Sequence, residues 1–175
     1  LKQLRDRVFR SQLLPAFAMS EQHLKGYIAD IRRFSPAMLF GYPSSLSLIA
    51  RYAKQHNITM SDLGIKVAFV TSERLFENQK ALISDVFNCP VANGYGGRDA
   101  GFIAHQCPHG GMHISAEDII VEIIDKMGNP LPAGEIGEVV VTHLATAEFP
   151  FVRYRTGDLA CLGTELCPCG RHLPL

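Results

Sequence analysis

Apolar residues recur along the first half of the chain at helical spacing. Leu1, Leu4 and Val8 begin the pattern, and a break follows around Pro15. Leu24, Tyr27, Ile28, Ile31 and Phe34 then follow i, i+3, i+4, i+7, the stripe of an amphipathic helix, with Ser20 placed to cap it. Pro36 ends that helix, because proline lacks an N–H and its ring disfavours helical geometry in the residue before it. Residues 37–40 are a short apolar run, expected as a strand that Gly41-Tyr-Pro43 turns. Ser44 or Ser45 can cap the next helix, whose inward face is Leu46, Ile49 and Ala53. Residues 65–70 are rich in β-branched side chains and predict a buried strand, followed by Thr71-Ser-Glu73. Residues 75–87 predict a helix with Leu82, Ile83, Val86 and Phe87 inward, and Val91-Ala92 another short strand. The order strand, helix, strand, helix, strand predicts a parallel α/β sheet with right-handed crossovers.

After Asn93 the pattern changes. Glycines crowd in, helical periodicity stops, and short strands are expected at 102–105, 112–114, 119–124, 137–144, 152–154 and 159–162. Gly128-Asn-Pro130 marks a turn. This half predicts an antiparallel β subdomain, a distorted barrel. The chain therefore divides into an α/β part, 1–100, and a β-rich part, 101–175. There is no internal repeat.

Composition narrows the class. With 175 residues, 47% hydrophobic and 19% charged, the chain reads as an ordinary globular protein with a real core. Seventeen basic residues balance seventeen acidic ones, so bulk charge gives no reason to bind nucleic acid or anionic lipid. No apolar run approaches the roughly 20 residues of a membrane span, and the N-terminal stretch lacks the apolar core of a signal peptide. The chain reads as a piece of a longer protein, with apolar faces that predict self-association as a homodimer. Five cysteines, unevenly spaced and including one Cys-x-Cys, point to a reducing, cytoplasmic compartment and to metal chemistry rather than disulfides.

Four stretches can carry chemistry. Asn93-Gly-Tyr-Gly-Gly-Arg-Asp99 follows a strand of the expected parallel sheet, the end at which open α/β sheets bind ligands. Its glycines let backbone N–H groups approach phosphate, Tyr95 offers a flat face to a nucleobase, and Asp99 a hard oxygen ligand to Mg²⁺. The plain alternative is a glycine-rich turn joining two subdomains. Thr71-Ser-Glu73 and Tyr42-Pro43 lie at the ends of earlier strands, where Ser72 could equally cap a helix. Three strand ends of one parallel sheet would share a crevice. Tyr154-Arg-Thr-Gly-Asp158 packs a guanidinium, a hydroxyl, a glycine and a carboxylate together; it could close a strand or grip a ribose and a phosphate. Finally, Cys107, Cys167 and Cys169 supply three ligands for a tetrahedral zinc. The fourth is His113, preferred because Gly110-Gly111 can turn the chain back, or else His109. Unligated thiols and surface histidines are the simpler alternative. Four protein ligands leave no open position, so such a site would be structural, stapling the tail to a loop far upstream. Cys89 and Cys161 have apolar neighbours and read as core.

Taken together, these motifs resemble the adenylate-forming (AMP-binding, acyl-adenylate) superfamily, in its phenylacetate–CoA ligase-like and capsular-polysaccharide-biosynthesis-like branch. Tyr154-Arg-Thr-Gly-Asp158 matches the family's Tyr-Arg-x-Gly-Asp, and Tyr95-Gly-Gly-Arg-Asp99 is similar to its Tyr-Gly-x-x-Glu. The stretch 125–141 is similar to its Asp-x-x-Gly…Gly-Glu-x-Gly-Glu, Thr71-Ser-Glu73 falls where a Gly-Glu lies against adenine, and Cys167-Pro-Cys-Gly-Arg171 is typical of the branch. The resemblance implies a part of the large N-terminal domain of a ligase that activates a carboxylate with ATP through an acyl-AMP intermediate. The acyl group would then pass to a thiol such as coenzyme A. It implies that Asp158 accepts hydrogen bonds from the ribose hydroxyls of ATP or AMP. Tyr95 would stack on adenine, with Ser72, Glu73, Asn93 and Gly94 nearby. Asp99 would replace the family glutamate that helps hold Mg²⁺, with a side chain one methylene shorter. Tyr42, Gly96 and Gly97 would border the acyl pocket. The family's phosphate loop and its C-terminal domain with the catalytic lysine have no counterpart in this sequence, so the fragment itself is expected to fold without catalysing adenylation. The alternative is a non-catalytic, zinc-stapled nucleotide-binding or scaffold protein of capsular or exopolysaccharide biosynthesis.

Overall fold

A computed structural model describes residue 6, residues 8–145 and residues 151–175. Of the expected first helix, Leu1 and Leu4 lie outside the described residues, and Val8 is exposed. The chain divides into two compact units, Leu1–Val91 and Ala92–Leu175.

The first unit contains helix α1 (Glu21–Phe34), strand β1 (Met38–Gly41), helix α2 (Pro43–Gln55), a short 3₁₀ turn (Ser61–Leu63), strand β2 (Val67–Thr71) and helix α3 (Glu77–Phe87). The helical stripe of α1 buries Leu24, Tyr27, Ile28 and Ile31 but leaves Phe34 exposed at its end. Helix α2 packs against both α1 and α3 through Leu46, Ile49, Ala50 and Ala53, and two fully buried alanines let the neighbouring helices approach closely. Each buried Ile or Leu in this cluster contributes about 1.5–3 kcal/mol relative to exposure. β1 and β2 pair in parallel, with Gly41 opposite Val70, so Tyr42 and Thr71–Ser72–Glu73 emerge at the same end of the pair. The expected turn at Gly41-Tyr-Pro43 is instead a helix start. Tyr42 is the N-cap and Pro43 the first helical residue, where proline's fixed φ suits the helix and its missing N–H costs nothing. Ser44 and Ser45 thus lie inside the helix rather than capping it. Ser72, at φ +68°, caps nothing; α3 starts later, with Phe76 as N-cap and Gln79 Oε1 accepting the Phe76 N–H at 3.1 Å.

The second unit is built of strands β3 (Val91–Gly97), β4 (Gly101–Gln106), β5 (Met112–Ile114), β6 (Ile119–Ile124), β7 (Gly137–His143) and β8 (Tyr154–Ala160), with β3 beginning at the last residue of the first unit. β3, β4 and β5 pair antiparallel in succession, as do β6, β7 and β8. The antiparallel character agrees with the sequence, but the barrel does not form. Among the described residues, β6 and β8 each pair only with β7, so that sheet is open. Two further expectations are corrected. The stretch after Asn93 is not a turn: β3 runs on to Gly97, and only Arg98–Ala100 turns. Gly96 serves close strand approach, since a Cβ there would run into the Gly101 carbonyl oxygen on β4. Likewise, the two short strands expected around Tyr154-Arg-Thr-Gly-Asp158 are one strand, β8, with an irregularity inside it. Ile103, Ile119, Ile123, Val139 and Val141 form the core of this unit.

Candidate functional site: crossed tyrosine–aspartate pairs and a cysteine–histidine tetrad

The register of β7 and β8 explains how one motif presents its carboxylate. Glu138 faces Leu159 and Val140 faces Arg155, so Val139 stands opposite three residues, Thr156, Gly157 and Asp158. These three form a bulge, with Gly157 at φ +81°. The bulge is pinned from inside, where Thr156 Oγ1 donates to the Val139 carbonyl at 3.1 Å and accepts from the Asp158 N–H at 3.1 Å. On its far side Arg155 pairs with Glu138 and holds that carboxyl below its usual range. Asp158 is left exposed, and Tyr95 donates its hydroxyl to Asp158 Oδ2 at 2.8 Å. Burial, then the neighbouring Asp158 carboxylate, push the Tyr95 phenol up to about 12, against an opposing hydrogen bond with Thr156. Tyr95 therefore stays a hydrogen-bond donor throughout the neutral range.

A second contact runs the other way. Tyr154, at the start of the β8 motif, reaches Asp99 Oδ2 at 3.4 Å, a long hydrogen bond. The turn that carries Asp99 is clamped by His143, whose Nε2 lies 2.7 Å from the Ala100 carbonyl oxygen. Phe151 packs edge-on between His143 and Tyr154. Asp99 itself is exposed, a hard oxygen donor open to a cation.

The other expected site residues are placed as follows. Asn93 and Gly94 lie on β3, where the Asn93 N–H donates to Gln106 Oε1 at 3.2 Å, and Gly96 and Gly97 follow. In the first unit, Tyr42 lines a cavity of about 680 Å³ with Leu13, Leu14, Met19 and Phe40. Glu73 faces the start of α2, where its two oxygens accept the Ser44 N–H at 3.2 Å and the Ser44 hydroxyl at 3.0 Å. A carboxylate satisfies the free amides and positive dipole of a helix start, so Glu73 does the capping expected of the serines.

Cys107, His113, Cys167 and Cys169 come together, with their ligand atoms within 4.8 Å of one another. His109 is exposed on the turn between Cys107 and Gly111 and is not part of the group. Cys107 Sγ lies 3.6 Å from Cys167 Sγ, and Cys169 Sγ 3.3 Å from His113 Nε2. Around a tetrahedral zinc, metal bonds of about 2.3 Å to sulfur and 2.0–2.1 Å to nitrogen put ligand atoms about 3.6–3.8 Å apart, so the donor set fits such an ion. The surroundings fit as well. The other nitrogen of His113, Nδ1, lies 3.1 Å from the His172 carbonyl oxygen, which orients the ring with Nε2 toward the sulfurs. The Arg171 N–H points at Cys169 Sγ at 3.4 Å. Gly111 is the cradle: a Cβ there would lie 2.9 Å from Cys167 Sγ and 3.3 Å from His113 Nε2. Burial raises the Cys107 thiol, but hydrogen bonds from His113, the His109 backbone, Cys167 and Cys169 outweigh it and bring it down to about 6. The Cys169 N–H favours a Cys167 thiolate, yet burial and the sulfurs of Cys169 and Cys107 prevail and push that thiol up. One thiolate is thus favoured and a second resisted within this crowded set of soft donors. Cys89 is buried in the first unit's core and Cys161 is half-buried, both outside the group.

Sequence reasoning singled out the tetrad and both aspartates. It missed Tyr154 and Thr156 as their partners, although both motifs share the spacing Tyr-x-x-x-Asp. It also missed Ser44 as the partner of Glu73.

No protein-family model matches the chain. It is 30% identical over 154 residues to protein CapK of Staphylococcus aureus, covering 88% of the chain and 33% of CapK. It is 28% identical over 146 residues to phenylacetate–coenzyme A ligase of Thermus thermophilus, covering 81% of the chain and 33% of the enzyme. The chain thus spans about a third of the length of these relatives. Among solved structures, 2-hydroxyisobutyryl-CoA ligase in complex with 2-HIB-AMP and CoA matches with a TM-score of 0.78 at 23% identity, over 87% of this chain and 37% of that one. That likeness carries the fold, an α/β portion with parallel strands and an antiparallel portion. The chain belongs to the adenylate-forming (AMP-binding) superfamily. Within it, the sequence falls in the phenylacetate–CoA ligase-like and CapK-like branch.

Proposed function

We propose that this chain is the adenosine-binding part of an ATP-dependent, AMP-forming acyl–CoA ligase. The observation that carries the reading is the Tyr95–Asp158 pair, a flat aromatic ring fixed beside an exposed carboxylate. The ring would stack on adenine and the carboxylate would accept the two ribose hydroxyls. Asn93 and Gly94 adjoin Tyr95 on the same strand. Asp99 would hold Mg²⁺, an ion that binds through one or two carboxylates together with substrate phosphates. The ion would neutralise phosphate charge while the α-phosphate is attacked by a carboxylate. The second-unit tetrad would hold a structural zinc. Tyr42, Gly96 and Gly97 would border part of the acyl pocket, while its other walls and the coenzyme A site would lie in parts of the enzyme beyond the third represented here, so the isolated chain is expected to form no acyl-AMP.

The test is Asp158→Ala in the full-length protein. Losing hydrogen bonds to a carboxylate costs about 1.5–3 kcal/mol, so nucleotide affinity falls roughly 10–100-fold and ATP-dependent pyrophosphate release is lost with it. Release at the unmodified rate would remove the reading. A second reading, a zinc-stapled scaffold without turnover, has the similarity to CapK in its favour. It predicts no pyrophosphate release from the unmodified full-length protein with any carboxylate.

A further inference from the structure

The two motifs are chemically alike, each a tyrosine followed four residues later by an aspartate, and their contacts cross. Tyr95 of the first donates to Asp158 of the second, and Tyr154 of the second donates to Asp99 of the first. The two contacts are unequal. The first is short, 2.8 Å, and joins residues 63 apart in sequence; the second is long, 3.4 Å. Both aspartates are exposed, and each sits in backbone that would not by itself fix its side chain: Asp158 in a bulge, Asp99 in a turn. An exposed carboxylate rotates freely unless something holds it, and holding costs the ligand less when the protein has already done it.

We infer that Tyr95 and Tyr154 are positioning residues, whose hydroxyls fix the exposed carboxylates of Asp158 and Asp99 by a reciprocal exchange between the two motifs. This rests on the reading of Asp158 as the ribose acceptor. A ribose diol needs both carboxylate oxygens in one orientation. The Tyr95 hydroxyl on Oδ2 sets that orientation and leaves Oδ1 and the remaining lone pair of Oδ2 to the ligand. Thr156 supports the same arrangement, since it bonds the Asp158 N–H and also faces Tyr95. Tyr95 would thus act twice, with its ring on the base and its hydroxyl, through Asp158, on the sugar. At Asp99 the Tyr154 contact is long, so its hold is weaker and its effect on affinity smaller.

Tyr95→Phe separates the two roles, because it keeps the ring and removes the hydroxyl. The probes are AMP and 2′,3′-dideoxy-AMP, titrated into the 175-residue chain. The unmodified chain is expected to favour AMP, and Tyr95→Phe to reduce that preference about three- to tenfold. Tyr154→Phe is expected to leave the preference unchanged. A preference that survives Tyr95→Phe intact would overturn the inference. If the unmodified chain binds neither compound, the nucleotide reading fails first. The inference is then decided by the titration of Tyr95 followed by ¹³C NMR. Asp158→Asn lowers the Tyr95 midpoint if the carboxylate and phenol are paired; an unmoved midpoint means that the hydroxyl holds nothing.

Discussion

The tetrad and the crossed tyrosine–aspartate pairs lie in the same unit, and each joins residues more than fifty positions apart, but they are made for opposite ends. His113 and Cys107 are buried, their ring and turn are tied by backbone groups, and a glycine is needed for the sulfurs to fit. Asp99 and Asp158 are exposed on a turn and a bulge, each in contact with a tyrosine hydroxyl. Soft, buried donors on a closed set suit a permanent ion that holds the fold together. Hard, exposed acceptors suit a ligand that arrives and leaves. On the proposed reading, one β-rich unit separates stability from binding.

The comparison predicts that damage to the tetrad is felt in stability and damage to the pairs in binding. The largest effect should come from Cys107→Ser in the zinc-loaded chain. Structural zinc contributes folding free energy directly, so the variant is expected to lose about 5 kcal/mol or more and to melt at a markedly lower temperature. Asp158→Ala should change thermal stability by no more than about 0.5 kcal/mol, the usual range for surface positions. Equal melting temperatures for Cys107→Ser and the unmodified chain, both loaded with zinc, would break the distinction. A glycine pair sharpens it. Gly111→Ala forces a methyl against Cys167 and His113 and should cost about 1–3 kcal/mol, while Gly97→Ala, which meets nothing within 4 Å, should be nearly silent. Calorimetry on the two variants checks the contrast.

A separate effect is that of pH on the metal-free chain. The Cys107 thiol is depressed from its ordinary value of 9.0 to about 6. A group depressed on folding stabilises the folded state fully above its unfolded value, and loses that contribution as pH falls toward its folded value. Stability attributable to Cys107 should therefore decline between about pH 9 and about pH 6 and be gone below it. Cys107→Ser should flatten this part of the denaturation-versus-pH curve; an identical slope would show that Cys107 is not the group responsible.

What the sequence disclosed, and what it hid, follows the same division. The stripe Leu24, Tyr27, Ile28, Ile31 is legible because helical burial is local and repeats every turn, and all four residues are buried. Residues 67–70 are legible because a β-branched run announces a strand. Only the start of β3, Val91-Ala92, was legible, because glycines carry no alternation and a strand through Asn93-Gly-Tyr-Gly-Gly97 reads like a loop. β8 was read as two strands because a bulge inserts polar turn residues into a strand that does not end. The start of α2 was misplaced because the serines were credited with a cap that Glu73 provides from another loop. In the tetrad, Cys-x-Cys and the Gly110-Gly111 turn are local signals that favoured His113 while leaving His109 open, and it is His113 that lies beside the cysteines. The crossing of Tyr95 to Asp158 and Tyr154 to Asp99 depends on how distant strands align, which no local pattern contains.

The central claim, that the Tyr95–Asp158 pair is the adenosine site, is tested most directly by titrating AMP into the ¹⁵N- and ¹³C-labelled chain. The account predicts saturable shifts centred on Tyr95, Asn93 and the Thr156–Asp158 bulge, abolished by Asp158→Ala. Saturable shifts that avoid these residues, or that persist unchanged in Asp158→Ala, would contradict it.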